Sequence, residues 1–243
     1  DRIQRDEDDV HPPNAETDGR LYYRKVWLIP VTRSHMLIIE KALKQLRENL
    51  QSMTEVVLDM LELVHTSLEK ENINDLEVVF KQDKHLDQLE KSLDRQCMEL
   101  LALINPHASD LRFVFSVIKT NVDLERMGDE MKNVAREMKN AGEKVPPEMK
   151  ELARMVSETA RKTFRALANS DSKMAMEIIL EDDQIDTMEY NIVQKYPQLG
   201  ISLTAKALER IADHATNIAE NIIYSVEGID VRHENSIRQR LAK

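Results

Sequence analysis

One fourteen-residue stretch occurs twice, and that duplication constrains the fold more than any other feature. Val122 to Ala135 reads VDLERMGDEMKNVA, and Lys206 to Ala219 reads KALERIADHATNIA. Six of the fourteen positions are identical, and four of the six are polar. Glu125, Arg126, Asp129 and Asn133 return 84 residues later as Glu209, Arg210, Asp213 and Asn217. Steps of four bring side chains back to one face of an α-helix, so each copy lays two carboxylates and an amide in a single stripe. Like charges at that spacing weaken an isolated helix by a few tenths of a kcal/mol, so a repeated pair implies something positive against it. A wholly solvated stripe is the competing interpretation. Two features count against it: the small residue before each second carboxylate, Gly128 and Ala212, and the apolar company of Val122, Leu124, Met127, Met131 and Val134. A helical glycine costs about 1 kcal/mol relative to alanine and usually serves close approach by another backbone. A hard cation held by oxygen ligands fits these stripes better than water does.

The rest of the chain points to an all-α protein. In 243 residues there are five Gly and seven Pro, and between Val31 and Asn105 there are none of either. Aromatic residues make up only 4%. A formal charge of −10 argues against nucleic acid as a partner, because phosphate neutralisation needs a basic surface. The single cysteine, Cys97, allows neither an internal disulfide nor a thiolate cluster, and the expected location is the cytoplasm. No apolar run reaches the roughly 18 residues of a membrane span, so membrane contact is expected to be peripheral only.

Residues 1–35 stand apart. Asp1 to Asp18 is acidic and carries Pro12-Pro13, Leu21 to Val31 favours a short strand, and Ser34-His35-Met36 resembles the scar of a cleaved tag. This N-terminal extension is expected to be non-native or disordered, with a docking arm as the alternative. Two three-helix bundles are then expected over 36–142 and 143–233, with a tail at 234–243. The first helix runs from Met36 to near Lys70. The second starts at Asn72 or Asn74 and ends near Ile104. The third, capped by Ser109 or Asp110, ends near Asn140. The fourth begins at Pro146-Pro147, the fifth is capped around Asn169-Ser170-Asp171, and the sixth follows Gly200 and ends near Gly228.

A second pair of matching segments strengthens the repeat. Asp83 and Asp87-Gln-Leu-Glu90 correspond to Asp182 and Asp186-Thr-Met-Glu189, at an offset of 99. The two offsets, 99 and 84, differ by fifteen residues, and the shortfall lies around Lys195 to Ile201. A deletion or an omitted turn is expected there. If helices two and three fold antiparallel about Pro106-His107, Asp83 stands level with Glu130, Asp87 with Arg126 and Glu90 with Asp123. The acidic groups Asp83, Asp87, Glu90 and Asp123 then surround Glu125 and Asp129. By the repeat, Asp182, Asp186 and Glu189 surround Glu209 and Asp213, with Asn133 and Asn217 as additional oxygen donors. The competing interpretation is an exposed face neutralised by Arg126 and Arg210.

At these residues the sequence resembles the PhoU family. The likeness covers about Leu37 to His233. Its strongest points are Asp123-Leu-Glu-Arg-Met-Gly-Asp129 and Leu208 to Glu220, joined by Pro106 to Arg112 and Gly228 to His233. The resemblance implies two three-helix bundles in pseudo-twofold, spectrin-repeat-like arrangement. It also implies metal at Glu125, Asp129, Glu209 and Asp213: iron or zinc first, with magnesium, manganese, nickel or calcium as further candidates. The expected role is a homodimeric, cytoplasmic, negative regulator linking the phosphate ABC transporter ATPase to a sensor histidine kinase. Departures from the family pattern are Ala212 in place of glycine, the shortened connection near residue 196 and the first 35 residues.

Two other functions compete with this one. A carboxylate-bridged di-metal oxidase needs two Glu-x-x-His pairs facing one bundle core, and only Glu62-Leu-Val-His65 is present. A cytosolic domain of a sodium–phosphate cotransporter would need membrane helices, and none lies ahead of Met36. No Gly-rich phosphate loop or Ser/His/Asp set is visible, so no enzymatic activity is expected.

Overall fold

The computed structural model describes residues 33–72, 77–103, 108–141 and 144–232. Expectations for residues 1–32, for Asn74 and Pro106, and for the tail lie outside these residues. The described residues form seven helical segments and no strand: α1 (Arg33–Lys70), α2 (Glu77–Leu103), α3 (Ala108–Ala141), α4 (Pro147–Asn169), α5 (Ser172–Glu181), α6 (Asp183–Lys195) and α7 (Leu199–Glu227).

Local chemistry sets several of these limits. Pro147 opens α4 at a position where its missing N–H is no loss. Ser170 ends that helix in the left-handed conformation, with φ of 52°. Asp171 then caps α5 by accepting from the N–H groups of Lys173 and Met174. Gly228 ends α7 with φ of 73°, a backbone shape that glycine adopts without steric cost. Some boundaries differ from expectation. Ser109 and Asp110 fall within the first turn of α3, and Gly200 within that of α7. The single expected fifth helix is interrupted at Asp182, although that residue keeps helical angles (φ −55°, ψ −44°), so α5 and α6 are one rod with a break in its ladder.

The two halves correspond packing for packing. α1 meets α2, α2 meets α3 and α1 meets α3; likewise α4 meets α5 and α6, these meet α7, and α4 meets α7. Between the halves α1 meets α4 and α3 meets α7. Exchanging the halves leaves this scheme unchanged, as a pseudo-twofold arrangement of a duplicated sequence requires. The α3–α7 packing is the most extensive in the molecule. These helices run antiparallel, since Phe115 meets Tyr224, Asp123 meets Asn217 and Glu130 meets Arg210.

One apolar cluster runs through both halves. It includes Leu46, Met53, Met60 and Leu68 of α1, Leu124, Met127, Met131 and Val134 of α3, and Leu208, Ile211, Ala215 and Ile222 of α7. Burying each large aliphatic side chain contributes about 1.5–3 kcal/mol. Gly128 serves this core, although not by admitting a backbone. A Cβ there would lie 2.4 Å from Leu86 Cδ2, so the missing side chain makes room for a fully buried leucine of α2. Val122, read as part of the apolar company, is 37% exposed.

Candidate metal centre

The α2–α3 pair has the register expected from the sequence. Asn121 Nδ2 donates to the Glu90 carbonyl at 3.0 Å and to Asp94 Oδ1 at 2.9 Å, and Leu86 fills the notch at Gly128. That register brings Asp83, Asp87 and Glu90 of α2 against Glu125 and Asp129 of α3. Burial, then the neighbouring Asp129, Glu90 and Asp87 charges, push the Glu125 carboxyl up to about 7. Burial likewise raises Asp83 and Glu90, the former with opposition from Lys132. Lys132 was not foreseen: its Nζ lies 2.8 Å from Asp83 Oδ2 and 2.6 Å from Asp129 Oδ1. Burial disfavours the ammonium charge, but its bonds to Asp129 and Asp83 outweigh that and hold its pKa above the usual lysine value. The first cluster therefore contains its own cation.

The second cluster has no such cation at that place. Asp182, Asp186 and Asp213 bring carboxylate oxygens within 4.8 Å of one another, the only such trio of candidate ligands among the described residues. Residue 216, which stands where Lys132 stands in the first copy, is threonine, and its hydroxyl donates to Asp182 Oδ1 at 3.0 Å. Burial and the charges of Glu209, Asp182 and Asp186 push Asp213 up to about 6. Burial also raises Glu209, and its Oε2 is buried without a hydrogen-bond partner. Lys206 approaches only the cluster's edge, 3.5 Å from Glu209 and 3.9 Å from Glu189.

The shortened α6–α7 connection does not disturb this geometry, for a simple reason. From Asp87 to the end of α2 is sixteen residues, against nine from Asp186 to the end of α6. From the start of α3 to Glu125 is seventeen, against ten from the start of α7 to Glu209. Four residues separate α2 from α3, and three separate α6 from α7. Seven residues from each helix and one from the turn account for all fifteen. Equal shortening of both arms leaves facing residues level, and seven residues is two helical turns to within about 20°. The turn closes tightly: Tyr196 donates to Glu148 Oε2 at 2.9 Å, and Ser202 donates to the Tyr196 carbonyl at 3.2 Å.

Three expected donors point elsewhere. Asp123 is turned across the α3–α7 seam, where its Oδ1 lies 3.0 Å from His214 Nδ1 and accepts from Asn217 Nδ2 at 3.3 Å. Asn217 is thereby withdrawn from the second cluster. Asn133 donates to Glu130 Oε2 and accepts from Arg136. For Asp123 and Asn217 the cause is angular: they lie on the flank of each helix that meets the other half. Arg210 also serves that seam, pairing with Glu130 at 3.2 Å rather than neutralising a carboxylate stripe. Arg126 is exposed. Glu62 belongs to neither cluster; it is exposed and paired with Arg161. The signal for Lys132 and Thr216 was legible, since both follow the second carboxylate of their copy by three residues.

The second cluster fits a metal ion on its own chemistry. Its donors are all carboxylate oxygens drawn together against their mutual repulsion, with one buried oxygen of Glu209 left unpaired beside them. That set suits hard cations. The first cluster offers a similar set with Lys132 inserted. The fold and the paired clusters define a class: a duplicated helical bundle whose halves each carry a carboxylate centre. The chain belongs to the PhoU family, whose profile, described as PhoU domain, matches residues 50–138 and 149–222. It is 34% identical to a phosphate-specific transport system accessory protein PhoU homolog of Pseudomonas aeruginosa, over 65% of this chain and 72% of that protein. A protein of the same description from Pseudomonas putida is 32% identical over 79% of this chain and 81% of its own length. The crystal structure of PhoU from Pseudomonas aeruginosa superposes with a TM-score of 0.74 at 29% identity, covering 78% of this chain and 99% of that one. PhoU of Streptococcus pneumoniae, at 24% identity and a TM-score of 0.72, shares the fold. No described helix is long and apolar enough to cross a membrane.

Proposed function

We propose that this chain is a metal-binding, non-enzymatic regulator of phosphate uptake that restrains the phosphate-starvation response. It acts in the cytoplasm as a homodimer, between the ATPase of a phosphate ABC transporter and a sensor histidine kinase. The relatives' description as accessory proteins of the phosphate-specific transport system supports the setting. The observation that carries the metal is the convergence of Asp182, Asp186 and Asp213 beside the unpaired oxygen of Glu209. Glu209, Asp213, Asp182 and Asp186 are the ligands of the second centre, with Glu189 at its edge. Glu125, Asp129, Asp83, Asp87 and Glu90 are those of the first. Iron and zinc are the leading ions, and magnesium, manganese, nickel and calcium are the alternatives. When bound, the metal supplies positive charge that lets crowded carboxylates stay ionised and the helices stay packed.

Elemental analysis of protein purified without chelator tests the metal. At least one ion per chain is expected, falling below half in the Asp186→Asn, Asp213→Asn variant. A folded protein that takes up no iron, zinc or manganese would remove this part of the reading. The signalling role is tested by a phosphatase reporter in cells lacking the protein. The reporter should be active in high phosphate, and one that stays silent there would count against regulation.

A further inference from the structure

Away from both clusters, where α3 begins and α7 ends, a partly enclosed cavity of about 100 Å³ lies between the two halves. All four inner helices line it, with Leu50 from α1, Ser116 and Val117 from α3, Phe164 from α4 and Ile222 from α7. Its wall is mainly apolar. An engineered apolar cavity of about 150 Å³ is known to take up benzene, so this space suits a body of about one ring. Two polar features break the wall. Ser116 is only 6% exposed, and its Oγ is buried with no hydrogen-bond partner among the described residues. Arg47 lies at the cavity's exposed edge, its guanidinium 4.0 Å from the centre of the Phe113 ring. Among the described residues Arg47 makes no ion pair, although the chain carries ten more acidic than basic side chains. Arg47 and Ser116 both line the cavity, one at its mouth and one in its wall.

We propose that this cavity binds a small organic anion. The apolar body packs against Val117, Phe164 and Ile222, and a carboxylate or phosphate head accepts hydrogen bonds from Arg47 and Ser116. Guanidinium suits such a head, because its fork of N–H donors matches a planar or tetrahedral oxyanion. A buried donor, here the Ser116 hydroxyl, also rejects a ligand that leaves it unpaired. Both halves line the site, so an occupant ties their packing together and raises the melting temperature by mass action.

The test is calorimetric titration of the full chain with benzoate, phenyl phosphate, benzyl alcohol and inorganic phosphate. One site per chain is expected for benzoate or phenyl phosphate, and whichever binds more tightly identifies the head. Benzyl alcohol lacks the charge and inorganic phosphate lacks the body, so each should bind at least tenfold more weakly. Arg47→Gln should weaken the better anion at least tenfold and leave benzyl alcohol unchanged. Val226→Trp, at a half-exposed position on the rim, should abolish binding of all four while circular dichroism shows an intact helical fold. Failure of both organic anions to bind would overturn the proposal. So would inorganic phosphate binding as tightly as phenyl phosphate, or anion affinity unmoved by Arg47→Gln.

Discussion

Lys132 and Thr216 occupy the same place in the two copies, and the difference between them separates the two centres. An ammonium held between Asp83 and Asp129 competes with any metal for those oxygens. A hydroxyl bonded to Asp182 does not. Titration with Mn²⁺, followed by electron paramagnetic resonance, should therefore fill the second centre first. Lys132→Thr, which copies the second site into the first, should add a second tight class of ions. In metal-free protein the same change leaves Asp83 buried without its partner, costing about 1–3 kcal/mol, and metal should restore the loss. One tight class in both proteins would contradict this. Gly128 presents a second residue-scale test. Alanine gains about 1 kcal/mol in helix propensity, yet its Cβ meets Leu86 at 2.4 Å, and overpacking of that kind costs about 1–3 kcal/mol. Gly128→Ala should lower stability in urea, and adding Leu86→Val should recover part of it.

At the scale of helices, two antiparallel pairs are pressed together through facing carboxylates. Glu125 is raised from an ordinary 4.5 to about 7, and Asp213 from 3.8 to about 6. The folded state therefore binds protons more tightly than the unfolded one between roughly pH 4 and 7. Stability from these groups is full below that window and is lost as pH rises through it. Metal-free protein should be more resistant to urea at pH 5 than at pH 8. The pairs with lowered carboxyls, Glu77 with Lys139, Glu148 with Lys195, Glu151 with Arg154 and Asp230 with Arg232, lose strength mainly below about pH 4.5 and leave that comparison little disturbed. Glu125→Gln with Asp213→Asn should flatten the profile, and saturating metal should reverse its slope. The antiparallel register behind these clusters was legible from the position of Pro106-His107 in the sequence, because a connection of four residues leaves little choice of height. The turn of Asp123 toward α7 was not, because it answers to His214 and Asn217, which lie 91 and 94 residues away.

Among the described residues one apolar cluster runs through both sequence-related halves, so the halves should unfold together. Cys97 is buried in the first half, and burial pushes its thiol up to about 12. Its labelling by a thiol reagent should follow the same urea transition as the helical signal of the whole chain. Ile211→Ala, in the second half, should move both transitions equally and cost about 2–5 kcal/mol. Separate transitions would mean that the halves are independent domains.

Sequence alone determined the helices, the duplication and the carboxylate stripes. Each of these rests on local periodicity, which is written in consecutive residues. It also located the fifteen-residue shortfall but not its form, since only the packed hairpin shows seven residues taken from each arm. Tertiary structure decided which polar groups face a carboxylate cluster and which face the α3–α7 seam, and that Lys132 reaches across to Asp83 of α2. Those choices depend on helix rotation and on partners distant in the chain, and no spacing rule along a single helix contains them.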